Sequence, residues 1–325
     1  MIKKTLLAII VINFLAFFGL IIYISVRDSL KINTESDIKG QNITKEEYIY
    51  KEDLLSLGYN VNVISFIEEK IPNTSVKNYL LTKKYEHIEE FASSPYFNVE
   101  NIERYENYYL KHPNYTYDQI VIYVEIGLDY EFYTNIKVLD EYTSITTLVN
   151  KYNQLPEDAK FDNLVTLEKP YSNTGKKQVR SEMYEPLKQM INDAKKEGLK
   201  LQVISAFRDW STQKYLFNNS KKKNGLDYAL IYSAKPGHSE HELGLAIDFN
   251  TTQEKFKKTK EYEWLKNNSY KYGFIERYPK NKVFITGYGY EPWHYRYLGV
   301  DIATKIYIEN ITYEEYLVKY KNDAY

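Results

Sequence analysis

An unbroken run of 22 uncharged and mostly apolar residues, Thr5–Val26, dominates the start of the chain. Coiled as a helix it would measure about 33 Å, enough for a hydrocarbon core of about 30 Å. The pattern predicts a membrane-spanning anchor. A cleaved signal would show an apolar stretch of about 7–15 residues and a small-residue cleavage site, and neither is present. Lys3 and Lys4 precede the run, which predicts a cytoplasmic tip and an extracytoplasmic remainder, the protein being held in the cell membrane by a single pass. After it, 28–44 is polar and reads as a linker.

Helical spacing then takes over. Asn60 precedes Val61, Ile64, Ile67 and Ile71, and Thr116-Tyr-Asp-Gln119 has the form of a capping box ahead of Ile120, Val121 and Val124. Val76, Leu80 and Tyr85, and then Ile102, Tyr105 and Tyr109, lie between. These positions predict a small all-α region over 45–145, whose periodicity speaks of core and not of chemistry. From about 146 the pattern changes. Met183 to Gly198 carries Leu187, Met190, Ile191 and Ala194 on one helical face, Leu199–Ser205 alternates as a strand does, and Thr212–Asn218 returns to helical spacing. Short strands and helices without a βαβ rhythm predict an α+β domain over 146–325, built on a small mixed or antiparallel sheet with flanking helices.

Composition narrows the chemistry. Lys+Arg 43 against Asp+Glu 44 leaves a net charge of -1, which gives no footprint for a polyanion and argues against nucleic acid as a partner. With Cys 0, thiol nucleophiles, thiolate metal sites and disulfides are excluded. Any metal must be held by histidine and carboxylate. Of the five histidines, His87 and His112 lie in the helical region without carboxylates at ligand spacing, whereas His238, His241 and His294 fall in the α+β half.

Three segments there carry candidate chemistry: Ser205–Gln213, Pro236–Asp248 and Glu291–Arg296. From Gly244 onward, Leu245, Ile247 and Phe249 alternate with Ala246 and Asp248, so a strand would bury the bulky set and aim a carboxylate the other way. His241 lies just upstream. In the third segment Trp293 and Tyr295 fall on one side of a strand and His294 on the other, and Pro292 would let Glu291 turn toward His294. Two histidines and one carboxylate form the kind of set that holds catalytic zinc with a position left open. The alternative zinc helix HExxH fails, since Leu245 stands where its second histidine belongs, and Ser-x-x-Lys at Ser36, Ser211 and Ser220 lacks its partner motifs. Lys221–Lys223 reads as a solvated charge run.

Ser239-x-His241-x-x-Gly244-x-Ala246-x-Asp248 and Glu291-x-x-His294, with Ser205-x-x-Arg208-x-x-x-x-Gln213 upstream, resemble the signatures of the VanY-type D-alanyl-D-alanine carboxypeptidases, zinc peptidases of the cell wall. The resemblance covers roughly 146–318, and Gly127–Tyr133 extends it weakly upstream. It implies zinc held by His241, Asp248 and His294, Glu291 as catalytic base, Arg208 stabilising the scissile carbonyl, and Gln213 and Ser239 contacting substrate. The implied substrate is the peptidoglycan stem peptide, trimmed of its C-terminal D-Ala. An L,D-carboxypeptidase acting on tetrapeptide stems shares the same metal site. A catalytically dead wall-binding module would be free to lose a ligand or Glu291, and none is missing.

Overall fold

The computed structural model describes residues 45–320. The expectation of a membrane-spanning helix is corrected for the described residues: none of their helices is long and apolar enough to cross a membrane. The longest of them, Ser181–Lys196, has 16 residues, about 24 Å and short of a bilayer core, and one of its faces is polar. The segment Thr5–Val26 and the linker 28–44 lie outside the described residues. What is described is a mixed α+β fold.

The chain divides into two compact units with the boundary between Glu89 and Glu90. The first contains helices α1 (Lys45–Ser56) and α2 (Val61–Lys70) and a π-type turn over Val76–Leu80. Asn60 starts α2 as its spacing predicts, its side chain accepting from the Val63 N–H at 3.0 Å. Ile64 and Ile67 are buried. The unit is also stitched by tyrosine hydroxyls: Tyr50 donates to Asn73 Oδ1 at 2.9 Å, and the Tyr59 oxygen accepts from the Tyr85 N–H at 2.7 Å.

The second unit opens with α3 (Ile102–Lys111) and α4 (Tyr117–Ile126), the latter started by the complete Thr116/Gln119 capping box. Short strands β1 (Lys137–Val138) and β2 (Asn153–Gln154) pair in parallel, and β3 (Leu164–Leu167) and β4 (Lys177–Arg180) form an antiparallel pair. Helix α5 (Ser181–Lys196) follows at once and buries Met183, Leu187, Met190, Ile191 and Ala194, the face its spacing predicts. Then come β5 (Val203–Ser205), α6 (Trp210–Asn224), α7 (Leu226–Tyr232), β6 (Ala246–Phe249), α8 (Lys260–Asn268), β7 (Phe274–Glu276), β8 (His294–Tyr297), α9 (Val300–Glu309) and α10 (Tyr313–Lys319). The strand expected over Leu199–Ser205 is shorter because only its last residues find a partner, with a register shift between Val203 and Ser205.

Four strands form the central sheet in the order β5-β6-β8-β7, every neighbouring pair antiparallel. One face is core. Leu245, Ile247 and Phe249 around β6, Tyr295 of β8 and Phe274 of β7 pack with Leu187 and Met190 of α5 and Leu265 of α8, all fully buried. Each such side chain contributes about 1.5–3 kcal/mol of burial. The register then decides the other face, because Asp248 lies directly opposite His294 and Ala246 opposite Arg296. Period-2 alternation thus turns one greasy stripe into two polar residues held side by side.

Candidate active site

His241 reaches the same place from a 3-10 turn, Glu240–Leu243, that immediately precedes β6. Ser239 starts the turn with a capping box: its side chain accepts from the Glu242 N–H, and the Glu242 carboxylate reaches back to the Ser239 N–H. The same carboxylate also accepts from the Gly237 N–H at 3.0 and 2.9 Å. Gly237 is required there. Its φ is +83°, and a Cβ would collide with the Trp210 ring and lie 2.7 Å from Gln154 Cγ. Gly244, at φ +69°, ends the turn and releases the chain into β6.

Three buried side chains converge as a result. His241, Asp248 and His294 offer ligand atoms that all lie within 4.8 Å of one another. His241 Nε2 is 3.4 Å from Asp248 Oδ2, and His294 Nδ1 is 3.1 Å from Asp248 Oδ1. The two rings meet edge to face, with centroids 4.9 Å apart. The His241 Nδ1 is occupied on its far side by the Ala206 carbonyl at 2.9 Å, which leaves Nε2 as the lone-pair nitrogen facing Asp248. Two imidazole nitrogens and one carboxylate oxygen are the donor set of a three-ligand zinc site, and these residues fit one.

The electrostatics suit a cation. Burial alone would raise the Asp248 carboxyl, but His241 and His294 beside it hold it well below the usual range. Burial, with the Arg208 charge adding to it, lowers His241 to about 4. His294 moves the other way, to about 9: burial opposes the shift, and the Asp248 and Glu240 carboxylates overcome it. The Asp248 and Glu240 carboxylates thus favour positive charge at His294, as they would favour a metal ion held there.

Glu291 stands at the rim. Its carboxylate is 3.8 Å from His294 Nδ1, and burial pushes it up to about 7, with Asp248 reinforcing the shift and His294 and Arg208 opposing it. Arg208 lies just past β5 and is placed by its own N–H donating to the His241 carbonyl at 3.2 Å and by Asp209, which caps α6 through the Thr212 N–H at 2.7 Å. Its Nε is buried without a hydrogen-bond partner. All of these groups line one cleft of about 340 Å³ together with Ser239 and Gln213. Gln213 spends its amide N–H on the Ala234 carbonyl at 2.7 Å and keeps its oxygen unpaired. A larger cleft of about 410 Å³, beside Arg104, Tyr152 and Glu314, contains none of these groups.

Sequence reasoning missed several residues. Tyr278, whose ring centroid is 4.9 Å from that of His294, lines the cleft with Tyr232, Tyr288 and Trp293. Behind the metal ligands lies a buried ionic cluster. Arg277 Nε and Arg296 Nη1 both donate to Glu240 Oε1, at 2.7 and 2.9 Å, and Arg277 also grips Glu314 of α10. Arg296 was legible, since it is two residues beyond His294 and so shares its face of β8. His238 is turned away, its Nδ1 on the Asn150 carbonyl at 2.8 Å.

An oxyanion forming in this cleft would meet Arg208. Arg208→Ala is expected to retain bound metal and to lose about 10²–10³-fold in kcat, the cost of one oxyanion donor. Metal content and steady-state rates on the same preparation check both halves.

The family model for VanY D-alanyl-D-alanine carboxypeptidases matches residues 176–300. The chain is 38% identical over 212 residues to YodJ of Bacillus subtilis strain 168, assigned as a carboxypeptidase, covering 61% of this chain and 78% of that protein. It is 38% identical to a D-alanyl-D-alanine carboxypeptidase of Enterococcus faecalis strain V583, covering 55% of this chain and 67% of that one. Among solved structures, the LD-carboxypeptidase LdcB, described with its basis of peptidoglycan recognition, matches at a TM-score of 0.53 and 38% identity, over 57% of this chain and 90% of that one.

Proposed function

This chain belongs to the VanY-type D-alanyl-D-alanine carboxypeptidase family and is a hydrolase of that kind, and from this premise we propose that it uses zinc to remove the C-terminal D-Ala from peptidoglycan stem peptides. The observation that carries the reading is the convergence of His241, Asp248 and His294 beside an uncommitted Glu291 in one cleft. Zinc held by the three ligands would polarise the scissile carbonyl and lower the pKa of a water to about 7. The chain's own residues then have distinct tasks. The Glu291 carboxylate accepts the proton of the attacking water and returns it to the leaving amine of D-Ala. Arg208 offers its unpaired Nε–H to the carbonyl oxygen as that oxygen gains charge. The Ser239 hydroxyl already accepts from the Glu242 N–H, so its own proton is free to donate to the substrate, and the unpaired Gln213 oxygen can accept from it.

The similarity to LdcB supports a second reading on the same site, cleavage of the L,D bond ahead of a single terminal D-Ala. Mass spectrometry of products from penta- and tetrapeptide stems separates them. Loss of one alanine from the pentapeptide alone supports the first reading; cleavage of the tetrapeptide alone replaces it with the second, and inertness toward both overturns the proposal. The stem peptides lie outside the cytoplasm, and on this reading so does the catalytic unit. Recovery of the protein in the cytoplasmic fraction alone would overturn that placement.

A further inference from the structure

We propose that Glu240 is the positioning residue of the metal site: it accepts the Nε2–H of His294 and so fixes the tautomer that leaves Nδ1 free for the metal, an inference that rests on the zinc reading above. The observation is a pair of orphaned atoms. Glu240 Oε2 and His294 Nε2 are both buried without a hydrogen-bond partner, and they face one another at 3.5 Å. Among the described residues neither has another partner. A proton on Nε2 satisfies both, and the other nitrogen of the ring, 3.1 Å from Asp248, then carries the lone pair.

Two further features give Glu240 this role. His241 and His294 use opposite nitrogens toward Asp248, so each needs an acceptor behind the ring. For His241 that acceptor is the Ala206 carbonyl, and for His294 the candidate among the described residues is Glu240. Glu240 is also prevented from rotating away. Its Oε1 receives Arg277 Nε and Arg296 Nη1, while Arg277 Nη1 and Nη2 hold Glu314 at 2.9 and 2.6 Å and Arg296 Nη2 holds the Ile145 and Thr147 carbonyls, each at 2.8 Å. The carboxylate is thus clamped from the residue that follows β7, from β8 and, through Arg277, from α10. It does not line the cleft, which removes it as a base acting on water.

Glu240→Gln tests the inference, because glutamine has one oxygen where glutamate has two. The two arginines, which are donors only, claim that oxygen, and the amide NH₂ is turned toward His294 Nε2. That nitrogen must then accept, which moves the ring proton to Nδ1, where the lone pair is needed. Zinc affinity, read by competition with a chromophoric chelator, is expected to fall about 10–100-fold. A variant that melts earlier yet binds zinc within twofold of wild type would reduce Glu240 to a structural residue and overturn the inference. If the variant does not fold, wild type still decides: in zinc-loaded protein with ¹⁵N-labelled histidine, long-range ¹H–¹⁵N correlations should place the His294 proton on Nε2 and the His241 proton on Nδ1. A His294 proton on Nδ1 overturns the inference. Wild-type protein that takes up no zinc overturns the metal reading itself.

Discussion

Glu291→Gln is expected to lower kcat for release of D-Ala by about 10²–10⁴-fold while leaving zinc bound. The amide keeps the volume and reach of the side chain but cannot accept a proton at neutral pH. The zinc should stay because the group able to hold it is His241, Asp248 and His294, and Glu291 lies outside that set. Glu240 and Glu242 cannot substitute for it: the first is enclosed by Arg277 and Arg296, and the second is committed to the Gly237 and Ser239 amides. The pH profile carries the same signature. Burial raises the Glu291 carboxyl to about 7 in the metal-free chain, and a bound dication, like the positive His294 and Arg208 near it, pulls the value down. A base must be unprotonated to act, so wild-type kcat/KM is expected to fall as pH drops through a value at or below about 7. The Gln variant should lack that acid limb. Loss of zinc from the variant would make Glu291 a ligand, and a near-normal rate would mean another group activates the water.

The alternation at 244–249 was enough to place Asp248 opposite a greasy stripe, and the structure pairs it with His294 in register. Likewise the core face of α5 and the caps at Asn60 and Thr116 were legible, because each depends on residues within one or two turns of chain. His241, expected just upstream of the strand, sits there in a 3-10 turn. Its placement depends on the Ser239/Glu242 capping box, a local signal that was present, and on the Gly237 approach to Trp210, a tertiary contact that no local pattern contains. Apart from Arg296, the buried cluster was invisible for the same reason. Glu240, Arg277 and Glu314 are 37 residues apart at each step, and charged residues in sequence read as solvated surface until a fold closes them on one another. Within the cluster two arginines meet two glutamates, a balance that makes complete burial tolerable.

Asp248→Ala should abolish both activity and the response of stability to zinc. Asp248 is the residue that both His241 and His294 face, at 3.4 and 3.1 Å, so its loss leaves the two imidazoles without the carboxylate that completes the set. The wild-type protein, with free zinc at a thousand times its Kd, should gain about 4 kcal/mol, since metal binds the folded form and not the unfolded one. For a unit of this size that is a rise of about 8–16 °C in melting temperature. The alanine variant should melt at the same temperature with zinc as with chelator. This measurement reports the metal site without any turnover, and so separates a dead catalyst from an empty site. Glu291→Gln should keep the zinc-dependent rise and lose the reaction, whereas Asp248→Ala should lose both. A variant lacking Asp248 that still gained the full rise would show that the zinc is held elsewhere, and the assignment of His241, Asp248 and His294 as its ligands would fall.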